Sequence, residues 1–369
     1  MSSWKTHIAG PMAALLATVT STAVPATSAM ALSGGEKVSQ RDAPDWYATI
    51  VFPDPEAPLP IVLCGGALVS PVVVVTAAHC LDKHDPNLLQ VRVGTSSLSR
   101  DPGDIVEIRG FSTHPGYSLI PSPVAPEDPQ SAAAKNDVAI VELKTAVIDV
   151  RPLSIATEPP APGSSVMTYG HGVTSPPAYT SDALRRGKLD VIEDRTCRSR
   201  FRGAFDGPSV LCAESPTTMI CSGDSGSPLI KNTNRGPRLV GVTSFAGEVV
   251  GRDCGNGYAN GFADAVHLRR WLTSPAHVLA PWTKGRPKLI GDARVGSFMT
   301  CALPKWDIKP TKVTYGWAGD DEILHEKGPS VRVTPRTAGR FFNCYIEASN
   351  GGGTIRVQRE FAEEQAQSR

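Results

Sequence analysis

The stretch Cys221-Ser222-Gly223-Asp224-Ser225-Gly226-Ser227-Pro228 makes the strongest demand on the fold. It sets a serine between two glycines and directly after an aspartate. A serine hydroxyl is a weak nucleophile at neutral pH, so it needs a base beside it and donors for the oxyanion it creates. Flanking glycines permit a tight turn and let a substrate carbonyl approach bare backbone N–H groups. Gly, Asp and Ser are also common in surface turns. The stretch becomes a reacting centre only in a fold that carries a distant histidine and a buried carboxylate to the same place.

The chain has 369 residues, enough for two domains. Lysine plus arginine total 37 and aspartate plus glutamate 36, so no charge excess points to nucleic acid or a membrane surface. With 34 glycines, 32 prolines and no heptad pattern, short strands joined by many turns are expected. Lys5 and His7 precede an apolar run over residues 12–19 that is too short to span a bilayer. Ala29-Met30-Ala31 fits a small-x-small cleavage site, so residues 1–31 read as a secretory signal rather than a loose Ala/Thr/Ser tail. No later segment is apolar enough to cross a membrane. Eight cysteines follow: Cys64, Cys80, Cys197, Cys212, Cys221, Cys254, Cys301 and Cys344. An even number in an exported chain implies disulfides, with 105 pairings open in principle. No Cys-x-x-Cys pair occurs, and no metal or cofactor is expected.

Residues 46–52 and 61–69 read as strands. An apolar run at 72–75 leads directly into Thr76-Ala77-Ala78-His79-Cys80. A lone histidine is more often structural than catalytic. Here Val-Thr-Ala-Ala-His-Cys, taken with Gly-Asp-Ser-Gly, closely resembles the trypsin/chymotrypsin-like serine protease family. Lys135-Asn136-Asp137-Val138-Ala139-Ile140 resembles the family's Asn-Asp-Ile-Ala-Leu segment. An aspartate at the mouth of an apolar strand needs a partner to be buried, and a histidine N–H suits it. The order His79, Asp137, Ser225 is also the family's order. His84 and His114 read as structural or solvated. Residues 118–134 read as an exposed loop and residues 152–163 as a linker between two halves. His171, between two glycines, replaces the tryptophan of the family's Gly-Trp-Gly turn.

The resemblance implies an all-β fold with two six-stranded antiparallel barrels of the chymotrypsin type over residues 32–273. It implies a secreted serine endopeptidase acting on protein or peptide substrates, with His79, Asp137 and Ser225 as the triad. The Gly223 and Ser225 N–H groups would form the oxyanion hole. Asp224 would pair with a new N-terminal amine. The chain offers Leu32-Ser33-Gly34-Gly35 at the interval where the family has Ile-Val-Gly-Gly, so signal removal itself would free the Leu32 amine. Met219 stands where members that cut after Arg or Lys have an aspartate. Ser244-Phe245-Ala246 resembles a pocket wall, and Asn260 stands at the second pocket glycine. A small or medium apolar substrate residue is expected. Cys197 and Cys212 should pair, and Cys221–Cys254 would brace the pocket. Residues 264–272 have helical spacing, and residues 274–288, rich in proline, read as a linker. Over residues 289–369, strands near Cys301, Trp317 and Cys344 resemble a small immunoglobulin-like sandwich. Phe342 stands where such domains often carry tyrosine. Such a domain would bind a surface or protein ligand. The competing function is a catalytically silent protease-fold protein acting as an extracellular binding module.

Overall fold

The computed structural model describes residues 32–173, 181–252, 254, 257–319, 322–324, 328–335, 337 and 342–358. The expected signal segment 1–31 lies outside them. Among the described residues no helix is long and apolar enough to cross a membrane.

Two six-stranded antiparallel barrels form the first part of the chain, as expected. In the first, β1 (Tyr47–Phe52), β2 (Ile61–Ser70), β3 (Val73–Thr76), β4 (Gln90–Val93), β5 (Asp104–Thr113) and β6 (Ala139–Leu143) close in the order β1-β2-β3-β6-β5-β4. The second holds β7 (Ser165–Gly170), β8 (Arg185–Val191), β9 (Val210–Glu214), β10 (Pro228–Thr233), β11 (Gly236–Phe245) and β12 (Asn260–Asp264). Its order is β8-β7-β10-β11-β12-β9, and pairing of β8 with β9 closes it. The patterning explains the curvature. β8 alternates buried and more exposed positions, with Arg185, Gly187, Leu189 and Val191 inward. β3, rich in valine, is buried along most of its length because it lies between two neighbours under other chain. Tyr47, Ile50, Leu68, Phe111 and Val141 fill the first barrel, and Val166, Leu189, Leu229 and Phe262 the second.

Four disulfides join Cys64 to Cys80, Cys197 to Cys212, Cys221 to Cys254 and Cys301 to Cys344. Two local expectations change. Asp264 ends β12, and the helix is confined to α1 (Arg269–Leu272), because the Asp264 carboxylate accepts from the N–H groups of Val266 and His267 in a turn. The segment over residues 118–134 is not simply an exposed loop. Its ends pair as strands Ser118–Ile120 and Ala133–Lys135, and Ser122 Oγ, buried, donates to Val249 O at 2.6 Å.

Beyond α1 lie two small antiparallel sheets. One runs β13 (Lys288–Gly291), β14 (Phe298–Ala302), β17 (Ser330–Arg332). The other runs β16 (Glu322–Leu324), β15 (Lys312–Gly319), β18 (Phe342–Asn350), β19 (Gly353–Gln358). Cys301–Cys344 ties β14 to β18, one strand from each sheet, and Trp317 is fully buried. This unit is docked on the first barrel. Ala280 N–H donates to Phe111 O, Thr113 N–H to Gly352 O and Lys83 N–H to Thr354 O. Asp85, 5% exposed, is paired with Arg286 from the connecting segment. Arg286→Ala is expected to cost about 2 kcal/mol in thermal unfolding. That is less than the roughly 3–5 kcal/mol of a fully buried pair, because Arg286 is partly exposed.

Candidate active site

Strand register brings the distant residues together. Thr76 at the end of β3 pairs with Ala139 at the start of β6. His79 follows β3 closely and Asp137 just precedes β6, so both emerge at the same end of the barrel. Asn136 before it takes a left-handed φ of 50°, a conformation asparagine tolerates. Its side chain donates to Gly116 O at 2.9 Å, which fixes the turn that presents Asp137. In the second barrel Pro228 opens β10 opposite Val242 of β11. Ser225 precedes β10 and Ser244 ends β11, again at one end. The barrels are stitched at this point by the Gly65 N–H, which donates to Ser225 O at 2.7 Å. Gly226 sits at φ 76°, where a Cβ would come within 2.2 Å of Thr76 Oγ1 and 2.5 Å of Gly65 O. Only glycine fits there.

A cleft of about 460 Å³ contains His79, Ser225, Gly223 and Ser244. His79 Nδ1 lies 2.7 Å from Asp137 Oδ2, and the His79 backbone N–H donates to Oδ1 at 2.9 Å. Ser244 Oγ donates to Asp137 Oδ2 at 2.5 Å. Asp137 is 1% exposed. Burial alone would raise its pKa, but the charge of His79 and the hydrogen bonds from His79 and Ser244 outweigh burial and hold the carboxyl below its usual range. The same pair works on His79. Burial disfavours the charged ring, yet the Asp137 carboxylate raises its pKa above the ordinary value. Cys64 and Cys80 sulfurs approach His79, but both are spent in a disulfide and so cannot ligate a metal.

Ser225 is half-buried, and no hydrogen bond joins its Oγ to His79 among the described residues. Such bonds are commonly long before substrate arrives. Its neighbours are more telling. The Asp224 N–H donates to Cys221 O at 2.9 Å, whereas among the described residues the N–H groups of Gly223 and Ser225 on either side meet no protein acceptor. They are left to whatever enters the cleft.

Asp224 is completely buried. It accepts from Gly172 N–H at 2.9 Å, from Cys221 N–H at 3.0 Å and from the Leu32 N–H. Burial pushes its pKa up to about 7, and those three donors only moderate the shift. Leu32 is itself fully buried, with Met219, Ile220 and Leu189 in the same cluster. Ser33 bridges to Met219, whose N–H donates to Ser33 O at 3.0 Å.

The expected pocket residues separate into two groups. Ser244, Phe245 and Ala246 line the cleft with Ile220. Met219 and Asn260 are wholly buried and do not line it. Met219 packs by the N-terminal segment and Gly247. Asn260 Oδ1 accepts the Ile220 N–H at 2.9 Å, and its amide reaches Ala213 O at 3.3 Å. His171 is buried, with Nδ1 2.9 Å from Ser181 O, and burial pushes its pKa down to about 4. His114 packs edge-on to Trp271, while His84 lines the cleft. The sequence reading missed Leu119, Gln130, Ala132 and Glu248 as further lining. All belong to short turns and strands between the barrel strands, whose path no motif announces, although an acidic residue shortly after Phe245 was visible.

The trypsin family profile matches residues 33–272. Trypsin epsilon of Drosophila erecta is 33% identical over 220 residues, covering 58% of this chain and 77% of that protein. A trypsin of Sarcophaga bullata is 30% identical, covering 58% and 80%. A trypsin of the bacterium Saccharopolyspora erythraea is 30% identical, covering 58% and 85%. The match ends where α1 ends, and with well over half of its residues inside that span the chain belongs to the trypsin family.

Proposed function

We propose that the protein is a secreted serine endopeptidase. The observation that carries this reading is the His79–Asp137 pair, which shares a cleft with Ser225, whose own N–H and that of Gly223 meet no protein acceptor among the described residues. In the proposed reaction Ser225 Oγ attacks the peptide carbonyl carbon and His79 takes the hydroxyl proton. The Gly223 and Ser225 N–H groups hold the oxyanion. The C–N bond then breaks as His79 hands its proton to the leaving amine, leaving an acyl-enzyme. Water, deprotonated by His79, releases the acid and restores Ser225. Asp137 keeps the Nδ1 proton toward itself and stabilises the charged ring. Ser244 restrains Asp137. No cofactor is needed.

The test is labelling by a fluorophosphonate probe. Wild type is expected to label and Ser225→Ala to be inert; equal labelling of both would refute the assignment. Catalysis also needs His79 neutral. Because Asp137 raises the His79 pKa, kcat/KM is expected to climb with pH through a pKa above 6.5, and a profile flat from pH 6 to 8 would exclude His79 as the base. The Ile220 and Ala246 walls and the absence of an acid at position 219 support a small or medium apolar residue next to the cleaved bond. We read the C-terminal sheets as an immunoglobulin-like module. The inter-sheet disulfide and buried Trp317 support this, and its docking on the first barrel supports a bracing role.

A further inference from the structure

Among the described residues Glu248 forms no ion pair. It lies in the short turn over Gly247–Val250 that follows β11, and its side chain lines the same cleft as Ser225. Its Oε2 is shielded from solvent and meets no donor among the described residues. Burial raises its pKa, and the only hydrogen bond that offsets this comes from its own backbone N–H. The basic residue nearest along the sequence, Arg252, lies over the Tyr258 ring, 4.9 Å from its centroid. A half-buried carboxylate that lacks a counter-charge costs stability unless something else supplies the missing partner.

The surroundings say what would. The turn carrying Glu248 packs against the 118–134 segment, where Ser122 Oγ bonds Val249 O. That segment contributes Leu119, Pro129 and Ala132 to the cleft, and β11 contributes Phe245. Apolar side chains beside the Glu248 carboxylate suit an aliphatic stem that ends in a positive charge, as in lysine or arginine, while the cleft's other acid, Asp82, belongs to the loop after His79. The location also separates this subsite from the Ile220 and Ala246 wall. Ile220 lies in the connection between β9 and β10 and Ala246 directly follows β11, whereas Glu248 sits farther along, where the 118–134 segment meets the turn.

We propose that Glu248 forms a second specificity subsite that takes a lysine or arginine side chain of the substrate, at a position removed from the residue beside the cleaved bond. The inference rests on the serine endopeptidase reading and adds a substrate class to it. The same carboxylate accepts either an ammonium or a guanidinium, and the pairing strengthens as the entering chain excludes water.

The test uses the processed full-length protein and fluorogenic hexapeptides in which each position in turn is Lys, Arg, Gln or Glu. One position is expected to favour Lys and Arg over Gln by about tenfold in kcat/KM. Glu248→Gln should level that preference, and Glu248→Lys should turn it toward Glu at the same position. A purely structural role would change all peptides alike and leave the ranking intact. Wild type that shows no basic preference at any position, or a Glu248→Gln variant that keeps it, overturns the subsite. Fluorophosphonate labelling separates the two readings. A protein that labels but ignores basic side chains loses only the subsite; one that never labels loses the serine nucleophile and the subsite together.

Discussion

Ser225→Ala is expected to lower kcat by roughly 10⁶ while leaving the protein folded, since only the reacting oxygen is removed. Asp137→Asn should cost about 10⁴. The two losses have different origins. Without Ser225 no acyl-enzyme forms. With asparagine at 137 the nucleophile remains, but the carboxylate that receives His79 Nδ1, the His79 backbone N–H and Ser244 Oγ is gone. An amide offers one acceptor and two donors, so it cannot satisfy all three groups and favours the wrong ring tautomer. Stopped-flow burst kinetics on an activated ester distinguishes them: no burst for Ser225→Ala, and a slow burst for Asp137→Asn. A burst of normal amplitude and rate in Asp137→Asn would mean that His79 is oriented by something else.

The second large effect concerns Asp224 and the amino terminus. While Leu32 is still joined to the preceding residue, its N–H is a neutral donor, and Asp224 is buried with three such donors at a pKa of about 7. The ordinary value is 3.8, so the folded chain binds this proton more tightly than the unfolded chain does. Stability from Asp224 is therefore fully present below about pH 3.8 and is lost as pH rises through about 7. The size is about 4 kcal/mol. Cutting before Leu32 would place an ammonium group at the same carboxylate, and the pair would remain ionised at neutral pH. We expect the chain cut before Leu32 to be the more stable form at pH 7.5, and Asp224→Asn in that form to lose roughly 3–5 kcal/mol along with most activity. Activity falls with it because Asp224 holds the Cys221 N–H at the head of the turn that presents Gly223 and Ser225. His171 acts in the opposite sense. Its pKa of about 4 adds stability above pH 6.5 that is lost as pH falls through 4. The clean measurement is thus the difference in chemical-denaturation stability between cut and uncut chains from pH 4 to 8, in which His171 cancels. A difference that does not change with pH would mean that the Leu32 amine never reaches Asp224.

Much of the site could be read in the sequence because its chemistry is local. His79 follows an apolar strand, Asp137 precedes one, and Ser225 sits in a glycine turn; each motif carries its own backbone requirements. Leu32 lies fully buried, with its N–H on Asp224. The pocket was not legible. Met219 and Asn260 occupy positions suited to a pocket, yet whether a side chain lines a cleft depends on what else competes for the space. Met219 is drawn into the apolar cluster around Leu32, and Asn260 is held by the Ile220 N–H. Ser244 read as pocket wall, while its hydroxyl bonds Asp137 across 107 residues of chain.

The sequence by itself determined the barrels, their strand patterning and the three residues proposed to carry the chemistry, because hydrophobic alternation and glycine turns act over a few residues. Only the tertiary structure decided which surfaces face the cleft. The 118–134 segment folds back as a wall, the C-terminal sheets dock behind the loop that follows His79, and Glu248 Oε2 meets no donor among the described residues. Each of these depends on contacts between segments far apart in the chain, where packing and desolvation choose among conformations that local propensity leaves open.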